Sequence, residues 1–158
     1  MFERFTDNAR RAVSFARNEA ADVGATEIES QHLLMGAITA DRRNLESIIG
    51  KAFVDLIQEQ VLLKNRKAAT ASTGELPLSN ECKRIMSQAQ DQADSLGSST
   101  IGTEHLLLGI LTEPKSRAGK ILKQHGLDLA QLRQKLGAKD EAPASRGFMG
   151  KLKKSFGL

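Results

Sequence analysis

Small apolar residues recur at three- and four-residue steps near the start of the chain: Ala9, Ala12, Val13, Ala16 and Ala20. That period predicts an amphipathic helix whose narrow, small-residue face lets a second helix pack closely. Thr6 or Asp7 is placed to cap it, and Gly24 to end it, after about Val23, in the left-handed conformation. Ser30 is placed to cap a short helix from Gln31 to about Thr39, with Leu33, Leu34, Ala37 and Ile38 facing inward. Asp41-Arg42-Arg43-Asn44 reads as a polar turn. Asn44 would then cap a third helix that buries Leu45, Ile48 and Ile49 and stops near Gly50. A fourth helix, roughly Val54 to Lys67, is expected to bury Leu56, Ile57, Val61 and Leu62.

The small, polar, Gly/Pro-punctuated stretch 68–77 reads as a linker, after which the pattern starts again. Ser79 or Asn80 caps a helix to Leu96, and Gly97 ends it. Thr103 caps Glu104 to Thr112, and Glu113-Pro114-Lys115-Ser116 is a turn. Ala118, Ile121 and Leu122 mark the next helix, closed by Gly126. Asp128 with Gln131 resembles a capping box for Leu129 to Leu136. One offset of 73 residues carries His32 onto His105, Ile28 onto Ile101, Leu33-Leu34 onto Leu106-Leu107, Gly36 onto Gly109 and Gly24 onto Gly97. An ungapped match of that length marks two copies of one unit. The expected architecture is all-α: a pseudo-twofold repeat of two four-helix units, about eight helices, with residues 1–67 and 78–137 as the repeats of one compact domain.

Composition fits. Of 158 residues, 40% are hydrophobic but only 4% aromatic, so the core must be built from aliphatic side chains. The lone Cys82 cannot form an intramolecular disulfide and is consistent with a reducing cytoplasm. The first residues lack the apolar stretch of a signal peptide. Net charge is +4, but residues 1–136 carry 18 Lys/Arg against 17 Asp/Glu, while 137–158 carry 5 against 2. The basic excess therefore sits in the tail, and nucleic acid is not an expected partner of the body. That tail, 138–158, reads as flexible and basic. Phe148, Leu152 and Phe156 recur in it at four-residue steps among lysines, a pattern able to touch a partner or an anionic membrane. A membrane- or nucleic-acid-associated helical protein acting through this tail is the alternative reading.

Nothing in the chain supports catalysis or a cofactor. There is no G-x-S-x-G and no phosphate-binding G-x-x-x-x-G-K-[ST]. The three histidines lack any i,i+4 ligand or Cys pair, so no metal site is expected; His32 and His105 are read as structural residues at helix starts. The helix starts are more suggestive, because their free N–H groups and dipole attract an anion. Thr103 could add a hydroxyl there, and Glu104 a carboxylate for a neighbouring guanidinium.

Met1-Phe2-Glu3-Arg4-Phe5-Thr6, the block Ile101-Gly102-Thr103-Glu104-His105-Leu106-Leu107-Leu108-Gly109 and the duplication together resemble the Clp amino-terminal domain, most closely its ClpC-type members. The resemblance covers about residues 1–137. It implies a cytoplasmic module that recruits protein substrates and adaptors to a ClpC-like AAA+ unfoldase feeding the ClpP protease. It also implies a phosphoarginine site at each matching helix start, Ser30-Gln31 and Thr103-Glu104, and an exposed docking surface including Phe2 and Lys83. The first repeat departs from the pattern: Gln31 stands where an acid is expected, so the second site is expected to be the stronger. No AAA+ module follows, so the chain is expected to be a stand-alone protein of this kind, or else an amino-terminal fragment.

Overall fold

The computed structural model describes residues 2–65 and 75–141, and among these the ordered elements are helices. Helix α1 (Asp7–Asp22) is capped by Thr6, whose Oγ1 accepts the Ala9 N–H at 3.1 Å. Helix α4 (Asn80–Ser95) repeats the device: Ser79 Oγ accepts the Cys82 N–H at 3.0 Å. Both helices end at glycines in the left-handed region, Gly24 at φ 71° and Gly97 at φ 76°. Helix α6 (Arg117–Gln124) is capped by Ser116, and Asp128 accepts the Gln131 N–H at the start of α7 (Leu129–Glu141).

Helix α2 (Ser30–Ile49) corrects the form of one expectation. It is two helical segments that meet at a kink, so the break expected over residues 41–44 is present but confined to the single non-helical residue Asp41, at φ −145° and ψ 45°. Nothing in Asp-Arg-Arg-Asn breaks a helix outright, whereas the 73-residue offset sets Pro114 on Asp41, and there α5 (Thr103–Leu111) and α6 are truly separate. Seven helical spans are thus described, and the kink at Asp41 divides α2 into two segments, in keeping with the eight expected. Asn44, inside the joined helix, caps nothing.

Helix α1 packs on α2 and α4 on α5, and each pair is brought together by a glycine. A Cβ at Gly36 would stand 2.1 Å from the Ala12 carbonyl oxygen, and one at Gly109 would stand 2.5 Å from that of Ile85. All these positions match under the offset. The backbone ahead of the helices is tied across the repeats in the same symmetric way: Phe5 bridges Ile101 and Ile28 bridges Leu78, both parallel. The Thr6 N–H donates to Ile101 O and the Ser79 N–H to Ile28 O, each at 3.0 Å. Each repeat is thus closed by the other.

The core is aliphatic. Helix α5 lies at its centre, with Leu106, Leu107, Leu108, Ile110 and Leu111 all buried, which explains an apolar run without helical periodicity. Helix α3 (Lys51–Asn65) corrects a second expectation: Leu56 and Leu62 are 51% and 46% exposed. Its buried stripe is Val54, Ile57 and Val61, on the side where α2 and α6 pack against it. Cys82 is buried, and burial pushes its thiol up to about 12, despite the opposing hydrogen bond from Ser79. No helix among the described residues is long and apolar enough to cross a membrane.

Candidate ligand-binding site

The starts of α2 and α5 share one backbone device. The Gly102 N–H donates to His105 Nδ1 at 2.9 Å, and the Glu29 N–H donates to His32 Nδ1 at 3.0 Å. Each imidazole therefore satisfies the residue ahead of its own helix, as a structural reading of the histidines requires. Burial lowers the pKa of His32, with Glu29 opposing and Arg117 reinforcing the shift, so the ring stays neutral and its Nδ1 stays an acceptor.

The residue ahead of each helix is Glu29 or Gly102, not Ser30 or Thr103, which corrects the two caps expected there. The hydroxyls are spent elsewhere. Thr103 is wholly buried, and its Oγ1 donates to Asp41 Oδ2 at 2.7 Å. Ser30 is equally buried, and its Oγ accepts the Ala118 N–H at 3.1 Å, capping into the start of α6.

Around Glu104 the structure assembles groups from three helices. Asn44 Nδ2 donates to Glu104 Oε1 at 3.1 Å and to Asp41 Oδ2 at 3.2 Å. Asn8 Nδ2 donates to Asp41 Oδ1 at 3.0 Å. The Asp41 kink thus points a carboxylate at Thr103, while Asn44 steers the carboxylate of Glu104, whose side chain remains 26% exposed. A fixed, half-buried carboxylate beside a helix start can accept a guanidinium while the dipole favours an adjoining anion. In the first repeat, Gln31 is 4% exposed and its Nε2 donates to Glu29 Oε1 at 3.1 Å. Among the described residues, no group of His, Cys, Asp and Glu could hold a metal ion.

Thr103 and Glu104 are therefore brought together with Asp41, Asn44 and Asn8, and Ser30 and Gln31 with Glu29 and Ala118. Phe2 lies ahead of α1 and Lys83 on α4. Phe2 is half-buried and meets Phe5 edge-on at 5.1 Å, with its carbonyl accepting from Arg10, whereas Lys83 is exposed on α4. Phe148, Leu152 and Phe156 lie outside the described residues. Asp41, Asn44 and Asn8 carry no sequence signal as partners of residues 103 and 104, being about 60 and 95 positions away. Glu29 did carry one, since the offset sets it on Gly102.

The fold and its paired helix starts define a duplicated all-α domain whose repeats complete one another. The chain belongs to the Clp repeat (R) N-terminal domain family, which matches residues 4–125. It is 33% identical over 162 residues to the chaperone protein ClpB of Oceanobacillus iheyensis, covering 95% of this chain and 19% of that protein. It is 32% identical over 143 residues to the negative regulator of genetic competence ClpC/MecB of Bacillus subtilis, covering 86% and 17%. The chain thus spans about a fifth of the length of these curated relatives. Among solved structures, the N-terminal domain of the caseinolytic protease associated chaperone ClpD from Arabidopsis thaliana is similar, with a TM-score of 0.67 and 29% identity over 88% of this chain and 96% of that one.

Proposed function

We propose that this chain is a non-enzymatic binding module that captures protein substrates and adaptors for a ClpC-like AAA+ unfoldase working with the ClpP protease. At the start of α5 it recognises phosphoarginine on marked proteins. The observation that carries the ligand class is the Glu104 carboxylate, fixed by Asn44 at 3.1 Å and still partly open to solvent at a helix start. A phosphorylated guanidinium presents both charges this arrangement favours: N–H donors for the carboxylate and a phosphate for the positive end of the helix. Membership of the Clp N-terminal family supports the recruiting role. Calorimetric titration of phosphoarginine into the wild type and Glu104→Ala tests it. Binding that weakens roughly tenfold or more in Glu104→Ala is expected, since a charge-assisted hydrogen bond contributes about 1.5–3 kcal/mol. Absence of heat and of any chemical-shift response in the wild type would remove the ligand assignment.

A further inference from the structure

Leu56 and Leu62 are the large hydrophobic side chains that stand exposed among the described residues. At about 100° per residue, α3 sets them on the side opposite its buried stripe of Val54, Ile57 and Val61, with the exposed Glu59 between them. The repeat itself does not need leucine there. The buried stripe recurs 75 residues on, in α7, as Leu129, Leu132 and Leu136. In that register Leu56 matches Gln131, which is exposed, and Leu62 matches Gly137. The second copy of the helix thus does without an outward apolar face. A helix that is apolar on both sides is one that something covers.

The same chain supplies the occupant. Two segments lie outside the described residues and beside a described helix, 66–74 and 142–158. The first, Arg-Lys-Ala-Ala-Thr-Ala-Ser-Thr-Gly, has no large apolar side chain. The second has Phe148, Leu152 and Phe156 at four-residue steps, with Arg146, Lys151, Lys153 and Lys154 and no acid. Charge matches as well. Asp55 is held by Lys51 and Arg42, which leaves Glu59, between the leucines, as the carboxylate to face those lysines. The distance can be spanned. Lys135 Nζ of α7 donates to the Ile48 carbonyl, just ahead of α3. From Lys135 the helix continues to Glu141, and the seven residues from there to Phe148 span up to about 25 Å, against about 22 Å for the whole of α3. A tether of that length holds a segment at about millimolar effective concentration, so weak contacts suffice. We propose that the outward face of α3 is the docking site of the chain's own residues 148–156, with Phe148, Leu152 and Phe156 over Leu56 and Leu62 and the lysines turned to Glu59.

The test is paramagnetic broadening of backbone amides in the full chain, with a nitroxide on Ser155→Cys. Cys82 is buried and its thiol stays protonated, so the new thiol takes the label, and the wild type carried through the same labelling is the blank. Amides of α3 are expected to broaden at least twofold more than those of α1 and α4. The broadening should vanish in Leu56→Gln with Leu62→Gln and weaken in Glu59→Lys. Both leucines face solvent, so the double variant should melt like the wild type. Broadening that survives in a double variant of unchanged melting overturns the proposal. If the double variant melts early, Glu59→Lys decides, and unchanged broadening there overturns it. Spin-labelled chain mixed with isotope-labelled chain that lacks the nitroxide should broaden nothing; broadening of α3 in that mixture assigns the face to a second copy and overturns the proposal. Sharp α3 amides in the labelled chain overturn it too, whether or not added phosphatidylglycerol vesicles then take up the tail.

Discussion

His32 accepts the Glu29 N–H through an unprotonated Nδ1, and the bond depends on the ring's staying neutral. Burial holds its pKa below the ordinary 6.5. Between that lowered value and 6.5 the unfolded chain binds the extra proton, so stability is fully present above about 6.5 and falls as pH drops through the window. The slope for one such group is at most about 1.4 kcal/mol per pH unit. Thermal melting between pH 7.5 and 5 should show the decline, shallower in His32→Gln; identical slopes would assign the pH dependence to other groups. Gly102 is a second single-residue determinant. Its φ of −101° suits any residue, so Gly102→Ala should melt close to the wild type. The nearest atoms to the added methyl are those of the Glu104 carboxyl group, at 2.6–3.0 Å, so the carboxylate is displaced from its place beside Asn44. Phosphoarginine binding at α5 should weaken about tenfold with the fold intact, and unchanged affinity would show that the carboxylate's position is not critical.

At the scale of elements, glycine means something else. Gly36 and Gly109 sit inside helices, where Gly→Ala normally stabilises by about 1 kcal/mol. Here the Cβ would strike backbone of the crossing helix, at 2.1 and 2.5 Å, and backbone in a packed pair cannot step aside cheaply. Gly36→Ala and Gly109→Ala should each lose about 3 kcal/mol or more, read as a lower urea midpoint. An unchanged midpoint would mean that the α1–α2 and α4–α5 pairs can separate at little cost. This close approach was legible in the sequence, as a small-residue face on α1 and a glycine repeated at the same offset. So were the caps at Thr6 and Ser79, because a cap is a local bond between neighbours in the chain. The break near Asp41 was legible too, but its narrowness was not, because polar residues at a kink and in a turn look alike. Nor was the exposure of Leu56 and Leu62, which depends on which helices come to lie against α3.

Across the whole molecule, the second helix start is completed by the first repeat. Asp41 joins three helices: Asn8 of α1 donates to one oxygen, and Thr103 of α5 and Asn44 of α2 donate to the other. Thr103 and Glu104 were visible as candidates because they are adjacent and repeat a pattern. Their partners were hidden because only the cross-pairing of the repeats, Phe5 with Ile101 and Ile28 with Leu78, brings α1 and the kink of α2 to that end of α5. Asp41→Ala removes the acceptor of a wholly buried hydroxyl at 2.7 Å and releases both asparagine amides. A buried donor left unpaired costs about 1–3 kcal/mol, and water reaching the gap sets the lower end of that range. Asn44 also loses its hydrogen bond to Asp41, which holds it beside Glu104, so phosphoarginine affinity should fall together with the urea midpoint. Asp41→Asn, which keeps the shape and one acceptor oxygen, should lose less of both. If Asp41→Ala lowers the midpoint while affinity holds, Asp41 ties the repeats together without shaping the ligand site, and Asn44 alone positions the carboxylate.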